Sequence, residues 1–219
     1  MLATKIITKR QVLSAISKIF DPLGLIGPVT IQAKILMQKL WQSKAEWDDP
    51  IPNELNTTWE RYAEQIQSVN AIKISRQIIC HDPIRIEIHA FCDASEVAYG
   101  CCVYVKSQNA SISLVNLICA KSRVTPLKKI TLPRLELCGA LLLAKLQKRV
   151  QTALNLPITQ YFLYTDSKIV LAWINTQPCY LNTFVANRVA EIVGLTNATD
   201  WYQVIILLTS FLGELIQRN

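Results

Sequence analysis

The sequence predicts an α/β domain built on a mixed β-sheet with flanking helices, preceded by a small, mainly helical segment. Three observations predict it. Up to about residue 69, apolar residues recur at helical spacing. From Ile84 the spacing changes: Ile84, Ile86, Ile88, Ala90 and Cys92 alternate with Arg85, Glu87, His89, Phe91 and Asp93, the period of two of a strand with one apolar face. Beyond it, strand-like runs and long helical repeats follow one another, and two of the strands end on aspartates, Asp93 and Asp166.

Composition narrows the function classes. With 219 residues, 51% hydrophobic and 18% charged, the chain is too apolar for a disordered protein and long enough for one large domain or two small ones. No apolar run approaches the roughly 18 residues of a membrane span. No secretory leader is read at the N-terminus, where no apolar region with a small-residue cleavage site follows the first charges. The cysteine count is seven, with no CxxC pair, and most of the cysteines sit in apolar runs. Buried thiols in a reducing compartment are the expectation, which places the protein in the cytoplasm or nucleus. A net charge of +7 suits a polyanionic partner without requiring one.

The helical segment is expected over residues 1–79. Val12, Leu13, Ile16, Ile19 and Phe20 make one helical face, which Asp21-Pro22-Leu23-Gly24 ends. A second helix after Pro28 carries Ile31, Ile35, Leu36, Leu40 and Trp41, giving an αα-hairpin. Trp47–Pro52 reads as a loop. Asn53 is a candidate N-cap for a third helix over 54–69, with Leu55, Trp59, Tyr62 and Ile66 on one face. A short extended stretch, Ala71–Ile74, and a linker lead to a domain boundary between 79 and 80.

The sheet domain is expected over 80–204. Gly100–Val105 is the hairpin partner of the first strand, and Ile112–Ala120 a third strand that runs into the basic stretch Lys121–Lys129. Thr131 can cap a long helix, with Pro133 in its first turn and a stripe of Leu135, Cys138, Leu142, Leu146 and Val150. Gln160–Thr165 is continuously apolar, as expected of a strand buried on both faces. Ser167 caps the next helix, carrying Ile169, Val170 and Trp173. A helix over 181–194, a strand over Asp200–Val204 and a last helix over 205–219 complete the chain.

Asp93, Glu136 and Asp166 thus fall at a strand end, at a helix start and at a second strand end. Such positions converge at one edge of a sheet. Each acid alone has an ordinary explanation: a turn residue, an acid favoured by the helix dipole, an N-cap. Together they would repel unless a cation neutralised them. Mg²⁺ suits oxygen-only ligands shared with phosphate, and a pair of such ions about 3.5–4 Å apart can activate water and steady a leaving oxygen.

The passages FCDASEVAYGCCVYV, TLPRLELCGALLLAKL and YTDSKIVLAWI strongly resemble the ribonuclease H-like domain of BEL/Pao-type retrotransposon polyproteins. The upstream QVLSAISKIFDPLGLIGPVTIQAKILMQKLW resembles the region after the reverse-transcriptase palm in the same polyproteins. The resemblance runs from about Thr4 to Val204. It implies a ribonuclease H-like mixed five-stranded sheet, and Asp93, Glu136 and Asp166 as catalytic metal ligands for Mg²⁺ or Mn²⁺. It implies the RNA strand of an RNA–DNA hybrid as substrate and the rest of the reverse-transcriptase polyprotein as partner. Lys121, Arg123, Lys128, Lys129 and Arg134 flank Glu136 and would contact phosphates; the alternative is a solvated basic loop. The family carries the label "Pao retrotransposon peptidase", yet neither Asp93-Ala94-Ser95 nor Asp166-Ser167-Lys168 is the Asp-Thr/Ser-Gly of an aspartic peptidase, and no Tyr-x-Asp-Asp polymerase motif occurs.

The family's fourth acid, in an Asn-Pro-Ala-Asp segment after the last strand, is not matched. Residues 205–219 diverge there, as in a frameshifted or degenerate copy, with Glu214 the one late-helix acid that could stand in. Asp200 reads as a turn residue. Two further readings therefore stand beside the enzyme: a non-catalytic nucleic-acid-binding module, and a structural fragment whose helical part once packed on a polymerase. His81 and His89 receive no role.

Overall fold

The protein is described from a computed structural model that covers residues 7–204; the expected last helix and Glu214 lie outside the described residues. Five strands form one sheet: β1 (Arg85–Ala94), β2 (Ala98–Gln108), β3 (Ser113–Val124), β4 (Gln160–Thr165) and β5 (Trp201–Gln203), in the order β3-β2-β1-β4-β5. β1, β2 and β3 are antiparallel neighbours. β4 joins β1 in parallel and β5 joins β4 in parallel. The parallel pair β1–β4 needs a crossover, and the long helix α4 (Leu132–Leu154) supplies it. α5 (Lys168–Ile174) and α6 (Thr183–Leu195) follow β4. This is the expected ribonuclease H-like mixed sheet with flanking helices.

Alternation decides which strand residues meet the helices. Ile86, Ile88, Ala90 and Cys92 of β1 are buried with Cys101, Val103 and Val105 of β2 and Leu163 of β4. α4 lies on β1 and β2 and against α6, so its apolar surface is wider than one stripe. Leu135, Leu142 and Val150 are buried as expected, and so are Leu137, Ala140, Leu143 and Ala144. Each fully buried aliphatic side chain is worth about 1.5–3 kcal/mol. Thr131 is the N-cap residue by backbone position, but its side chain makes no capping bond; the Ser167 hydroxyl does accept from Val170 N–H at 3.2 Å.

Several expected elements shift. Ile84 precedes β1 and is exposed, although its N–H donates to the Gln108 carbonyl. β3 runs on to Val124, so Lys121 and Arg123 are strand residues opposite Cys101 and Tyr99, not part of a loop. The pairing slips between Val103 and Tyr104, where β3 carries one extra residue, and the ladder continues beyond it. β4 is buried on one face only. Leu163 and Thr165 are enclosed, while Phe162 and Tyr164 lie half-buried on the face turned away from α4.

The described chain divides into two compact units, with the division between Ile74 and Ser75. Residues 75–79 go with the sheet, because Asn116 Nδ2 donates to the carbonyls of Gln77 and Ile78. Leu23–Leu25 also belongs to the sheet unit. Ala120 N–H donates to the Leu23 carbonyl at 2.8 Å, and Gly24 adopts φ +74° where a Cβ would collide with the Ala120 carbonyl.

The helical unit comprises α1 (Lys9–Ile16), α2 (Gly27–Gln42) and α3 (Asn53–Gln65) around Val12, Leu36, Met37, Leu40, Ile51 and Leu55. α1 opens with a capping box between Thr8 and Gln11 and ends four residues earlier than expected. After Ile16 the backbone tightens to i→i+3 bonds, from Lys18 to Ala15 and Ile19 to Ile16, and Phe20 leaves the stripe, 87% exposed. Pro52 takes the N-cap position expected of Asn53, and no side chain caps α3. Ile66–Ala71 forms a 3₁₀ turn, and Ile72–Ile74 pair with no strand. Trp41 is not packed inside; the Lys9 ammonium lies 4.4 Å from its ring centroid.

Candidate active site

The candidate site stands where β1 and β4 end beside the first turns of α4. The parallel register sets Cys92 opposite Thr165. The next residues on the two strands, Asp93 and Asp166, therefore emerge side by side. On the other flank Asp93 pairs with Gly100 of β2.

Gly139 brings in the third acid. A Cβ at this position would lie 3.2 Å from the Asp93 carbonyl oxygen and 3.8 Å from Cys92 Cβ. The absence of a side chain lets α4 rest directly on the end of β1. Glu136 lies three residues earlier, one turn toward the helix N-terminus and on the same helical side. The sequence signal for this contact was the pair Gly139-Ala140 between leucine runs, small residues that permit close approach. The leucine stripe of the same helix dominates the pattern and masks it.

Electrostatics ties the three acids together. The Asp93 carboxyl sits above the usual carboxylate range. Loss of surrounding water is the largest cause; the N–H of Ala94, 2.6 Å from Oδ1, opposes it; the charges of Asp166 and Glu136 push it further up. The Cys92 thiol beneath is also pushed up, first by complete burial and then by Cys101, with Asp93 and Asp166 adding to it. Among the described residues, no lysine, arginine or histidine forms an ion pair with Asp93, Glu136 or Asp166. This is an uncompensated, oxygen-only set, and a hard divalent cation fits its donor chemistry and charge. Among the described residues, the side chains as they stand do not close into a group of three around one ion.

The basic residues are distributed unequally. Lys121 and Arg123 are exposed on β3, two strands and so about 10 Å from β1. Lys128 and Lys129 are exposed in the connection to α4. Arg134 is half-buried, its guanidinium 5.1 Å from the Phe184 ring centroid; Arg188 covers the same ring at 3.5 Å. Asp200 closes a 3₁₀ turn ahead of β5 and accepts from Asn197 Nδ2 at 3.2 Å, consistent with a turn residue.

Glu87 and His89, for which the residue pattern predicts no role, form a second polar cluster on the open sheet face. Glu87 is 4% exposed, and its carboxylate receives Arg85, Lys106 (3.2 Å) and His89 Nε2 (3.1 Å). With Nε2 donating, His89 Nδ1 is left to accept from the Tyr164 hydroxyl at 3.4 Å. Burial pushes Glu87 up, but the bonds from His89 and Lys106 and the charges of Lys106 and Arg85 outweigh it, so its carboxyl lies below the ordinary value.

Known proteins resemble the chain in two ways. Solved structures with similar folds include RNase H1 of Halobacterium salinarum (11% identity, 61% of this chain and 99% of that one, TM-score 0.35). Two others are LC11-RNase H1 in complex with an RNA/DNA hybrid (12%, 55% and 83%, 0.33) and a foamy viral protease-reverse transcriptase in complex with double-stranded DNA (14%, 90% and 41%, 0.43). No curated protein matches the sequence. The family described as the Pao retrotransposon-like RNaseH-like domain matches residues 8–167, a span that includes Asp93, Glu136 and Asp166. The chain therefore belongs to the Pao retrotransposon RNaseH-like family.

Proposed function

We propose that residues 75–204 form a ribonuclease H-type nuclease that cleaves the RNA strand of an RNA–DNA hybrid with Mg²⁺ or Mn²⁺, and that residues 7–74 correspond to the segment that follows the polymerase palm. One observation carries the reading: Asp93, Glu136 and Asp166 stand at one end of the sheet, none of them in an ion pair among the described residues, and the charges of two raise the carboxyl of the third.

Asp93, Glu136 and Asp166 would hold the divalent ion, which supplies charge neutralisation and water activation at the phosphodiester when bound. Asp93 contributes from the strand end, with Oδ1 already receiving the Ala94 N–H and fixed in direction by it. Asp166 is steadied from behind: Ser167 caps α5 and Thr165 is buried. Gly139 sets how far Glu136 stands from β1. The exposed Lys121, Arg123, Lys128 and Lys129 would meet backbone phosphates, while Arg134 is committed to Phe184 and contributes less. Such contacts read duplex shape and the 2′-hydroxyls, not base sequence.

The test is cleavage of a labelled RNA–DNA hybrid by the purified chain with Mg²⁺ or Mn²⁺, beside Asp93→Asn. Cleavage that disappears in the variant supports the proposal. Cleavage that survives it excludes Asp93 as a ligand. Hybrid binding without cleavage by either protein would establish a binding module. Because a proton on Asp93 competes with the cation and the metal-free carboxyl is raised, metal affinity at limiting metal is expected to fall with acid at a higher pH than an ordinary aspartate would give, and saturating metal is expected to remove the difference.

A further inference from the structure

We propose that Thr125 is a positioning residue for Asp93: it holds the turn that follows this acid and ties that turn to the basic connection ahead of α4. The inference rests on the metal-site reading above and adds a residue to it. β1 ends at Ala94 and β2 starts at Ala98, so the turn Ser95–Val97 follows Asp93 almost at once. Ser95 fills that turn from within. Its N–H donates to the Ala98 carbonyl at 2.8 Å, and its hydroxyl accepts from the N–H groups of Val97 at 3.4 Å and Ala98 at 3.2 Å. Thr125 takes the next two carbonyls. Its hydroxyl donates to the Glu96 carbonyl at 2.9 Å and its N–H to the Val97 carbonyl at 3.0 Å. Thr125 is 8% exposed, although Glu96, Val97 and Pro126 are all exposed. A side chain bonded at both its hydroxyl and its backbone, and shielded from water, is a fixed point in a surface turn.

The two sides of this latch lead to different parts of the site. Glu96 is three residues from Asp93, whose Oδ1 receives the Ala94 N–H at 2.6 Å, so the direction of the carboxylate follows the backbone between them. On the other side, Thr125 carries the β2–β3 ladder one residue beyond the Ala98–Val124 pair, and Pro126, which has no N–H to donate, ends it. Lys128 and Lys129, proposed above to meet backbone phosphates, follow three and four residues after Thr125. One buried threonine therefore joins the first acid to these cations. A valine in its place would keep the backbone bond to Val97 and remove only the donor to the Glu96 carbonyl.

The experiment measures Mn²⁺ binding to the full chain, from the loss of the free ion's electron paramagnetic resonance signal, for the wild-type chain, Thr125→Val and Thr125→Ser. Hydrogen exchange of the Ala94 amide is followed in the same three proteins. Thr125→Val is expected to weaken Mn²⁺ binding about fivefold, the value of one hydrogen bond, and to speed Ala94 exchange. Thr125→Ser keeps the hydroxyl and is expected to match the wild type in both. Where the wild-type chain binds Mn²⁺, affinity decides. Equal affinity in Thr125→Val and the wild type overturns the inference and leaves the metal site standing. An equal loss in Thr125→Val and Thr125→Ser overturns it too, because the hydroxyl would then make no difference. If the wild-type chain binds no Mn²⁺, the metal reading fails and Ala94 exchange decides alone. Exchange that quickens in Thr125→Val but not in Thr125→Ser supports Thr125 as the residue that holds the Asp93 turn, and any other pattern overturns it.

Discussion

The two faces of the sheet are built from the same strands and have opposite chemistry. The face under α4 is aliphatic and closed: Ile88, Ala90, Val103, Val105 and Leu163 have no solvent exposure. The other face is aromatic and half-open. His89 stacks on Phe162 at 4.7 Å between ring centroids, Phe91 on Tyr164 at 4.8 Å, and Tyr202 leans on both Phe162 and Tyr164. At its far end the buried Glu87 gathers Arg85, Lys106 and His89. A simple alternation rule, apolar inside and polar outside, describes only the first face. On the second, residues that read as polar or mixed form a layer that shields a carboxylate almost as completely as the aliphatic core shields its leucines.

Perturbations should separate the two faces. Leu163→Ala on the closed face should cost about 2–5 kcal/mol of unfolding free energy, since a rigid core collapses only partly around the cavity. Phe162→Ala, next in the same strand but on the open face, should cost about 1–2 kcal/mol, because the ring is partly solvated and its loss forfeits stacking more than burial. Urea melts of the two variants test the contrast, and equal losses would mean that the open face is sealed in solution by something else. Glu87→Gln should cost about 1–3 kcal/mol by leaving the three cationic or hydrogen-bonding partners without their charge.

The pH dependence of these variants sharpens the comparison. The folded Glu87 carboxyl lies below its unfolded value, so its stabilisation is present above the unfolded value near pH 4.5 and disappears as pH falls through the folded one. Glu87→Gln should flatten that acid limb of the stability curve. Asp93 has the opposite sign. Its raised carboxyl makes ionisation a burden on the folded state, felt above the unfolded value and relieved in acid. Asp93→Asn should therefore raise stability slightly at neutral pH while abolishing the proposed cleavage. A variant that lost both stability and cleavage would contradict an electrostatic burden at this edge.

Much of the site was legible in the residues. The alternation from Ile86 to Cys92 fixes β1, and Asp93 and Asp166 are found at the ends of two strands because apolar runs stop there. Ser167 caps α5 as its residue type and position suggest. Other features depend on neighbours far along the chain. Lys121 and Arg123 belong to β3 because Cys101 and Tyr99 are opposite them. Ile19 and Phe20 fit the α1 stripe by spacing, yet the helix stops at Ile16. Nothing local marks Glu87 for burial, since its partners include Lys106, which a different strand supplies.

By itself the sequence determined the order of elements, the apolar face of β1 and the acids that stand at element ends, because periodicity and chain termini of strands are properties of neighbouring residues. Only the tertiary structure decided which acids meet, through the parallel register of Cys92 with Thr165 and the seat that Gly139 gives α4 on β1. It also decided that the second sheet face would be an aromatic layer around a buried carboxylate. Both outcomes depend on contacts between residues distant in the chain, whose free energy no local pattern contains.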